Sequence, residues 1–184
     1  MLRLTLALCI ALLSAPAGAT EAGWALLREG GHVVVLRHAM ASGAVDPPNV
    51  DPENCATQRN LTERGKQQAR KIGALFAARA ANADRVLSSR YCRTMETARL
   101  AFGDRDLEPF EALDPAAAGS PEAEPNKAAV MAEVANFVGS GNLVMVTHLD
   151  VIQALTGAGA REGEAIVVRA DGDRLHVLAR IVFN

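Results

Sequence analysis

The residues Val33-Val34-Val35-Leu36 form an unbroken apolar run that stops abruptly at Arg37-His38. Most of them are β-branched, and a short continuous apolar run of this kind reads as a strand buried on both faces, inside a largely parallel sheet. Such a strand needs helices on both sides, which points to an α/β architecture. Arg37 and His38 then fall at its carboxyl end, where open α/β sheets bind their ligands. A guanidinium beside an imidazole suits an anion there. Taken alone, such a pair is more often just the start of a solvated loop.

Two further segments repeat the pattern. The stretch 85–89 carries Val86-Leu87 into Ser88-Ser89, and 142–147 carries Leu143-Val144-Met145-Val146 into Thr147-His148. Between the first two strands, 40–60 is rich in Pro, Asp, Asn and Gly and reads as a loop at the lip of a site. Thr62 is placed to cap a helix over 63–80, with Glu63 in its first turn and Ala69, Ile72, Leu75 and Phe76 at helical spacing. A strand, a crossover helix and a second strand at this spacing set the strands parallel. Further helices are predicted over 91–101, 126–138 and 150–155, the last stopped by Gly157. A weaker extended piece is predicted over 106–113 and a surface excursion over 114–125. The runs 164–169 and 174–183 flank Asp171-Gly172-Asp173 and predict a terminal β-hairpin. The expected fold is a three-layer α/β/α domain with a mainly parallel sheet and an antiparallel C-terminal edge hairpin.

The start of the chain has a different character. Met1-Leu2-Arg3 precedes an apolar stretch over 4–13 and then Ala17-Gly18-Ala19, the pattern of a secretory signal peptide cleaved after Ala19. The expected organisation is therefore a signal peptide over 1–19 and one domain over 20–184. The apolar stretch is short of the ~20 residues a bilayer span needs, so the mature form is expected to carry no membrane span and to be periplasmic or secreted. It would hold 18 basic and 21 acidic residues. With no basic run and only 4% aromatic residues, nothing suggests a nucleic-acid partner. Cys55 and Cys92 are the cysteines left in that mature chain, and an oxidising compartment permits them to pair. They lack the close-spaced partners of a zinc site. The sequence leaves the oligomeric state open.

If the three strands are neighbours, Arg37, His38, Arg93 and His148 meet at one rim. Two guanidiniums and two imidazoles around one point suit a phosphate, because arginine forks match its oxygens. With these residues in view, the chain resembles the histidine phosphatase superfamily, of phosphoglycerate-mutase-like fold. Leu36-Arg37-His38-Ala39 resembles that family's Arg-His-Gly signature and Leu61-Thr62-Glu63-Arg64-Gly65 its Leu-Thr-x-x-Gly helix start. The segment 88–98, Ser88-Ser89 through Arg93 to Thr97-Ala98, and the pair Thr147-His148 resemble its later motifs, in the expected order. The resemblance implies that His38 is a nucleophile forming a phosphohistidine, that Arg37 and Arg93 hold the phosphate, and that His148 donates to it. It implies no metal and no organic cofactor. Export, together with a phosphate site, makes a phosphorylated small molecule or envelope component the expected substrate. His32 and His176 are expected to be ordinary structural residues.

The chain departs from that pattern at two places. Ala39 stands where a glycine is usual. The acid that should protonate the leaving oxygen is not fixed by any motif: Glu111 is the first choice, with Asp114 and Asp150 as alternatives. A missing acid would favour substrates with good leaving groups, a phosphohistidine or a pyrophosphate. A protein that binds phosphate esters without turnover would keep the same pocket. A metallo-hydrolase with His38 and His148 as ligands lacks a third ligand at suitable spacing.

Overall fold

The computed structural model describes residues 17–183. Its six-stranded sheet runs β3-β2-β4-β1-β5-β6, where β1 is Val33–Arg37, β2 Ala83–Ser88, β3 Leu107–Pro109, β4 Asn142–Thr147, β5 Ala165–Asp171 and β6 Arg174–Ile181. The first four strands are mutually parallel, while β5 is antiparallel to β1 and β6 antiparallel to β5. This is the predicted mixed sheet, with the C-terminal hairpin at one edge. The three apolar runs that end in polar residues are adjacent: Leu36 and Ser88 both pair with Val146, so β1, β4 and β2 end nearly level.

Because side chains alternate across a strand, each central strand feeds both faces. Val34, Leu36, Val86, Val144 and Val146 turn toward α1 (Ala17–Glu29), α2 (Glu63–Ala78) and α3 (Cys92–Phe102), where Trp24, Leu27, Ile72, Phe76 and Phe183 complete one core. Val33, Val35, Leu87, Leu143 and Met145 turn the other way, toward Val130 and Val134 of α4 (Ala123–Asn136) and Ile152 and Leu155 of α5 (Leu149–Thr156). All six residues of β4 are buried, which explains why its sequence has no polar face to alternate with.

Local signals fix where the elements start. The Thr62 hydroxyl accepts from the Gly65 N–H at 3.0 Å and donates to the Met40 carbonyl at 3.2 Å, so the cap of α2 also fastens the chain that leaves β1. A Cβ on Gly65 would overlap that same carbonyl, so glycine permits the approach.

Three expectations need amendment. The extended piece over 106–113 is a strand only to Pro109, followed by a 3-10 turn at Glu111–Leu113. The excursion over 114–125 is not all surface: Asp114 is buried, and α4 already begins at Ala123. Helix α1 has no counterpart among the predicted elements. The predicted signal segment lies outside the described residues up to residue 16, and 17–19 open α1. Among the described residues no helix is long and apolar enough to cross a membrane.

Candidate active site

His38 follows β1 directly and keeps the ladder for one more step, its N–H donating to the Thr147 carbonyl at 3.0 Å. Gly163, in the turn before β5, donates its N–H toward the Arg37 and His38 carbonyls at 3.2 and 2.9 Å. The backbone of His38 is thus held from both neighbouring strands. Its Nδ1 lies 2.8 Å from the Ala39 carbonyl, which can only accept, so Nδ1 carries the proton and Nε2 keeps its lone pair. Burial, reinforced by Arg93, Arg37 and Arg59, pushes the imidazole down to about 3, against a smaller upward pull from the Ala39 carbonyl. His38 is therefore neutral at physiological pH, the form a nucleophile needs. Ala39 adopts no positive φ, so its Cβ in the place of the usual glycine costs little. Its N–H is taken by the Thr97 hydroxyl at 3.0 Å, and that hydroxyl donates to the Arg93 carbonyl at 2.6 Å.

Arg93 is 3% exposed. Its Nη1 and Nη2 grip the two carboxylate oxygens of Asp46 at 2.9 and 2.8 Å, and Nη2 also donates to His148 Nδ1 at 3.0 Å. Its planar group lies over the Tyr91 ring, 4.9 Å from the centroid. Arg37 donates through Nη1 to the Ala160 carbonyl at 2.8 Å and faces Glu162 at 3.9 Å. In both arginines the Nε–H is buried and has no acceptor among the described residues. A buried unsatisfied donor costs about 1–3 kcal/mol, more when it is charged, and both arginines lie close enough to His38 for their charge to depress its imidazole.

His148 is the N-cap of α5 and lies against His38, with ring centroids 5.4 Å apart. Since Nδ1 accepts from Arg93, Nε2 bears the proton and donates to the Ser89 hydroxyl at 2.9 Å, which donates in turn to Asp114 at 2.8 Å. Burial first, then Arg93 and His38, hold this imidazole well below its ordinary value. Asp114 is fully engaged, taking the Arg90 N–H at 2.8 Å and the Arg90 Nε at 2.7 Å as well.

The structure does not bring Glu111 to this cluster. Its side chain is 70% exposed and pairs with Arg90 Nη2 at 2.9 Å, because the 3-10 turn at Glu111–Leu113 directs it outward. Asp150, in the first turn of α5, is an exposed residue whose carboxyl lies in the field of both Arg93 and Arg37. Crowding by protein pushes it above the usual aspartate value, outweighing the backbone N–H groups and arginines that pull it down. His32 and His176 belong elsewhere, at the head of β1 and within β6. Among the described residues no three His, Cys, Asp or Glu side chains converge as a metal site.

Cys55 and Cys92 form a disulfide, with Cα atoms 5.6 Å apart. It joins the loop after β1 to the first residue of α3, next to Arg93. Asp46 is a polar residue of the cluster that sequence reasoning missed, as are Arg59 and Glu162. Asp46-Pro47-Pro48 carries ordinary loop chemistry, and nothing in its spacing announces a partner 47 positions away.

Comparison with known families matches residues 33–129, just over half of the chain, to the histidine phosphatase superfamily (branch 1). The chain belongs to this superfamily. As a histidine phosphatase, it shares its fold with several solved structures. The protein histidine phosphatase SixA, complexed with tungstate, is 18% identical with a TM-score of 0.57, over 82% of this chain and 96% of that one. A phosphoserine phosphatase from Entamoeba histolytica, in complex with phosphoserine, is 13% identical with a TM-score of 0.62, over 83% and 98%. The alpha-ribazole phosphatase from Shigella flexneri is 17% identical with a TM-score of 0.57, over 80% and 95%. No curated protein sequence matches the chain. The enzyme is a phosphatase of the histidine phosphatase type.

Proposed function

We propose that this phosphatase is exported and hydrolyses phosphate monoesters, without a metal, through a phosphohistidine on His38. The observation that carries the reading is the pair of unpartnered, buried Nε–H groups on Arg37 and Arg93, beside the free Nε2 of a neutral His38. A phosphoryl group held by those donors presents phosphorus to Nε2. The N–P bond forms as the ester P–O bond breaks, and fixed positive groups offset the charge on the equatorial oxygens. His148 enters as a donor when a bound dianion draws a proton from solvent onto its Nδ1 and that nitrogen gives up its bond from Arg93 Nη2, while its Nε2–H stays on the chain through Ser89 to Asp114. Water then cleaves the N–P bond, releasing inorganic phosphate and restoring the imidazole.

The leaving oxygen needs a proton. Glu111 faces solvent and Asp114 is committed to Arg90 and Ser89, so Asp150, whose affinity for a proton is raised, is assigned as donor in the first step. In the second step its carboxylate accepts the proton of the attacking water. The outward turn of Glu111 also favours a second reading, in which the natural substrate is a phosphohistidine or pyrophosphate whose leaving group needs little protonation. One comparison separates the two. Asp150→Asn should slow an alkyl phosphate by about 10²-fold and para-nitrophenyl phosphate only a few-fold, with chelator present throughout. Equal rates for the variant and the wild type on alkyl phosphates would remove Asp150 as donor and favour the second reading. The substrate is a small phosphorylated metabolite or an envelope component, by the same argument from export that the leader sequence supports.

A further inference from the structure

We infer that Asp46 is a positioning residue for the phosphate site, delivered by a loop that the Cys55–Cys92 disulfide pins beside Arg93. The inference rests on the phosphatase reading above and concerns how its arginine fork is kept in register.

The guanidinium of Arg93 offers two edges. Its Nη1–Nη2 edge is fully used by the two Asp46 oxygens, whereas its Nε–H has no acceptor among the described residues. A bidentate arginine–carboxylate pair fixes the plane of the guanidinium as well as its position. With the outer edge clamped, the Nε edge is held toward the imidazoles, where the phosphate is to bind. Asp46 also supplies charge. Arg93 is almost wholly buried, and a guanidinium there without a counter-ion would be costly.

The loop is built to keep this carboxylate in place. Asp46 Oδ1 accepts the Arg59 N–H at 3.2 Å. The Arg59 side chain returns to the same loop, donating to the Ser42 and Ala44 carbonyls at 2.7 and 3.1 Å, and reaches Glu162 at 3.5 Å. Glu162 in turn faces Arg37 at 3.9 Å, so one chain of polar contacts ties the two phosphate-binding arginines together through the loop. At its far end, Gln58 accepts the Cys92 N–H at 2.9 Å and donates to the Asp51 and Pro52 carbonyls at 2.7 and 3.0 Å. The disulfide closes that end covalently, one residue from Arg93.

A different role is conceivable for the same contact: the Asp46 carboxylate as an internal phosphate mimic that competes for Arg93. The two roles predict opposite signs. If Asp46 positions the fork, Asp46→Ala weakens the binding of inorganic phosphate, measured by calorimetry, by about tenfold or more. It raises KM for para-nitrophenyl phosphate more than it lowers kcat. Asp46→Glu, which keeps the carboxylate, recovers part of the loss. Dithiothreitol applied to the wild type produces a loss in the same direction and adds little to Asp46→Ala. Tighter phosphate binding by Asp46→Ala, or unchanged binding by a variant whose thermal midpoint shows it folded, would overturn the proposal. Wild-type phosphate affinity indifferent to reduction would overturn the role of the disulfide. Absence of phosphate binding by the wild type itself would instead defeat the phosphatase reading, and the proposal with it.

Discussion

The same three strands, β2, β4 and β1, carry polar groups at both of their tips, and the two tips are built differently. At the amino end, Asn142 is fully buried, donates to the Leu27 and Asn82 carbonyls at 2.9 and 2.8 Å, and accepts the His32 N–H at 3.3 Å. Gly141 donates to Asp84 at 2.6 Å, and Gly31 to the Gly141 carbonyl at 2.6 Å. No buried side-chain donor there lacks a partner among the described residues. At the carboxyl end, Arg37 and Arg93 each leave an Nε–H unanswered, and two imidazoles are held uncharged by burial. Polarity closed on itself serves the fold. Polarity left open serves a ligand.

This contrast can be broken most sharply at His38. His38→Ala should reduce turnover by at least about 10⁴-fold, the scale seen when a covalent nucleophile is removed, with the protein still folded by circular dichroism. Retention of acid-labile phosphate on the variant would contradict the assignment. Arg93→Lys keeps the charge and loses the planar fork, and should cost about 10²- to 10³-fold in kcat/KM. A steady-state measurement showing less than a few-fold change would mean that charge alone suffices. At the opposite tip the expected effect changes kind. Asn142→Ala strands the Leu27 carbonyl and the His32 N–H, while the Asn82 carbonyl keeps the Asn142 N–H, so it should lower unfolding free energy by about 1–3 kcal/mol while leaving activity per folded molecule near the wild-type level. Denaturant melts beside active-site titration test both halves.

The smallest effect is in the pH dependence of stability. The unfolded chain protonates His38 near its ordinary value of 6.5, the folded site only near 3. Between those limits the unfolded state binds more protons, so stability falls as pH falls. The loss is about 0.4 kcal/mol at pH 6.5 and grows by at most about 1.4 kcal/mol per pH unit below that. Urea midpoints for wild type and His38→Asn over pH 7.5 to 5.5 should diverge, with the variant less sensitive. Parallel curves would show that His38 is not held neutral.

What the sequence disclosed follows from the same physics. Strands β1 and β4 were legible because burial on both faces leaves a run with no polar interruption, β2 only through its buried Val86-Leu87, and Thr62 because a cap works through neighbours three residues away. His38, Arg37, Arg93 and His148 could be grouped because parallel strands must end at a common rim. Helix α1 was not, since its alanine-rich start follows directly on the apolar sequence over 4–13, and only Trp24 and Leu27 declare a core-facing side. Asp46 was silent because its partner is defined by the folded loop. Glu111 was misleading for a related reason: Arg90 captures it on the outside, a contact that spacing along the chain does not encode.

The turn before β5 has a practical corollary. Gly163 supports the backbone of His38, and Glu164, buried, accepts the Arg161 N–H at 2.8 Å and Arg180 Nε at 2.7 Å from β6. The region recognised by family comparison stops at residue 129, well short of these groups and of His148. An expression fragment cut at that limit would contain the signature motif and yet be inert, because the scaffolding of the first histidine is encoded in the last quarter of the gene.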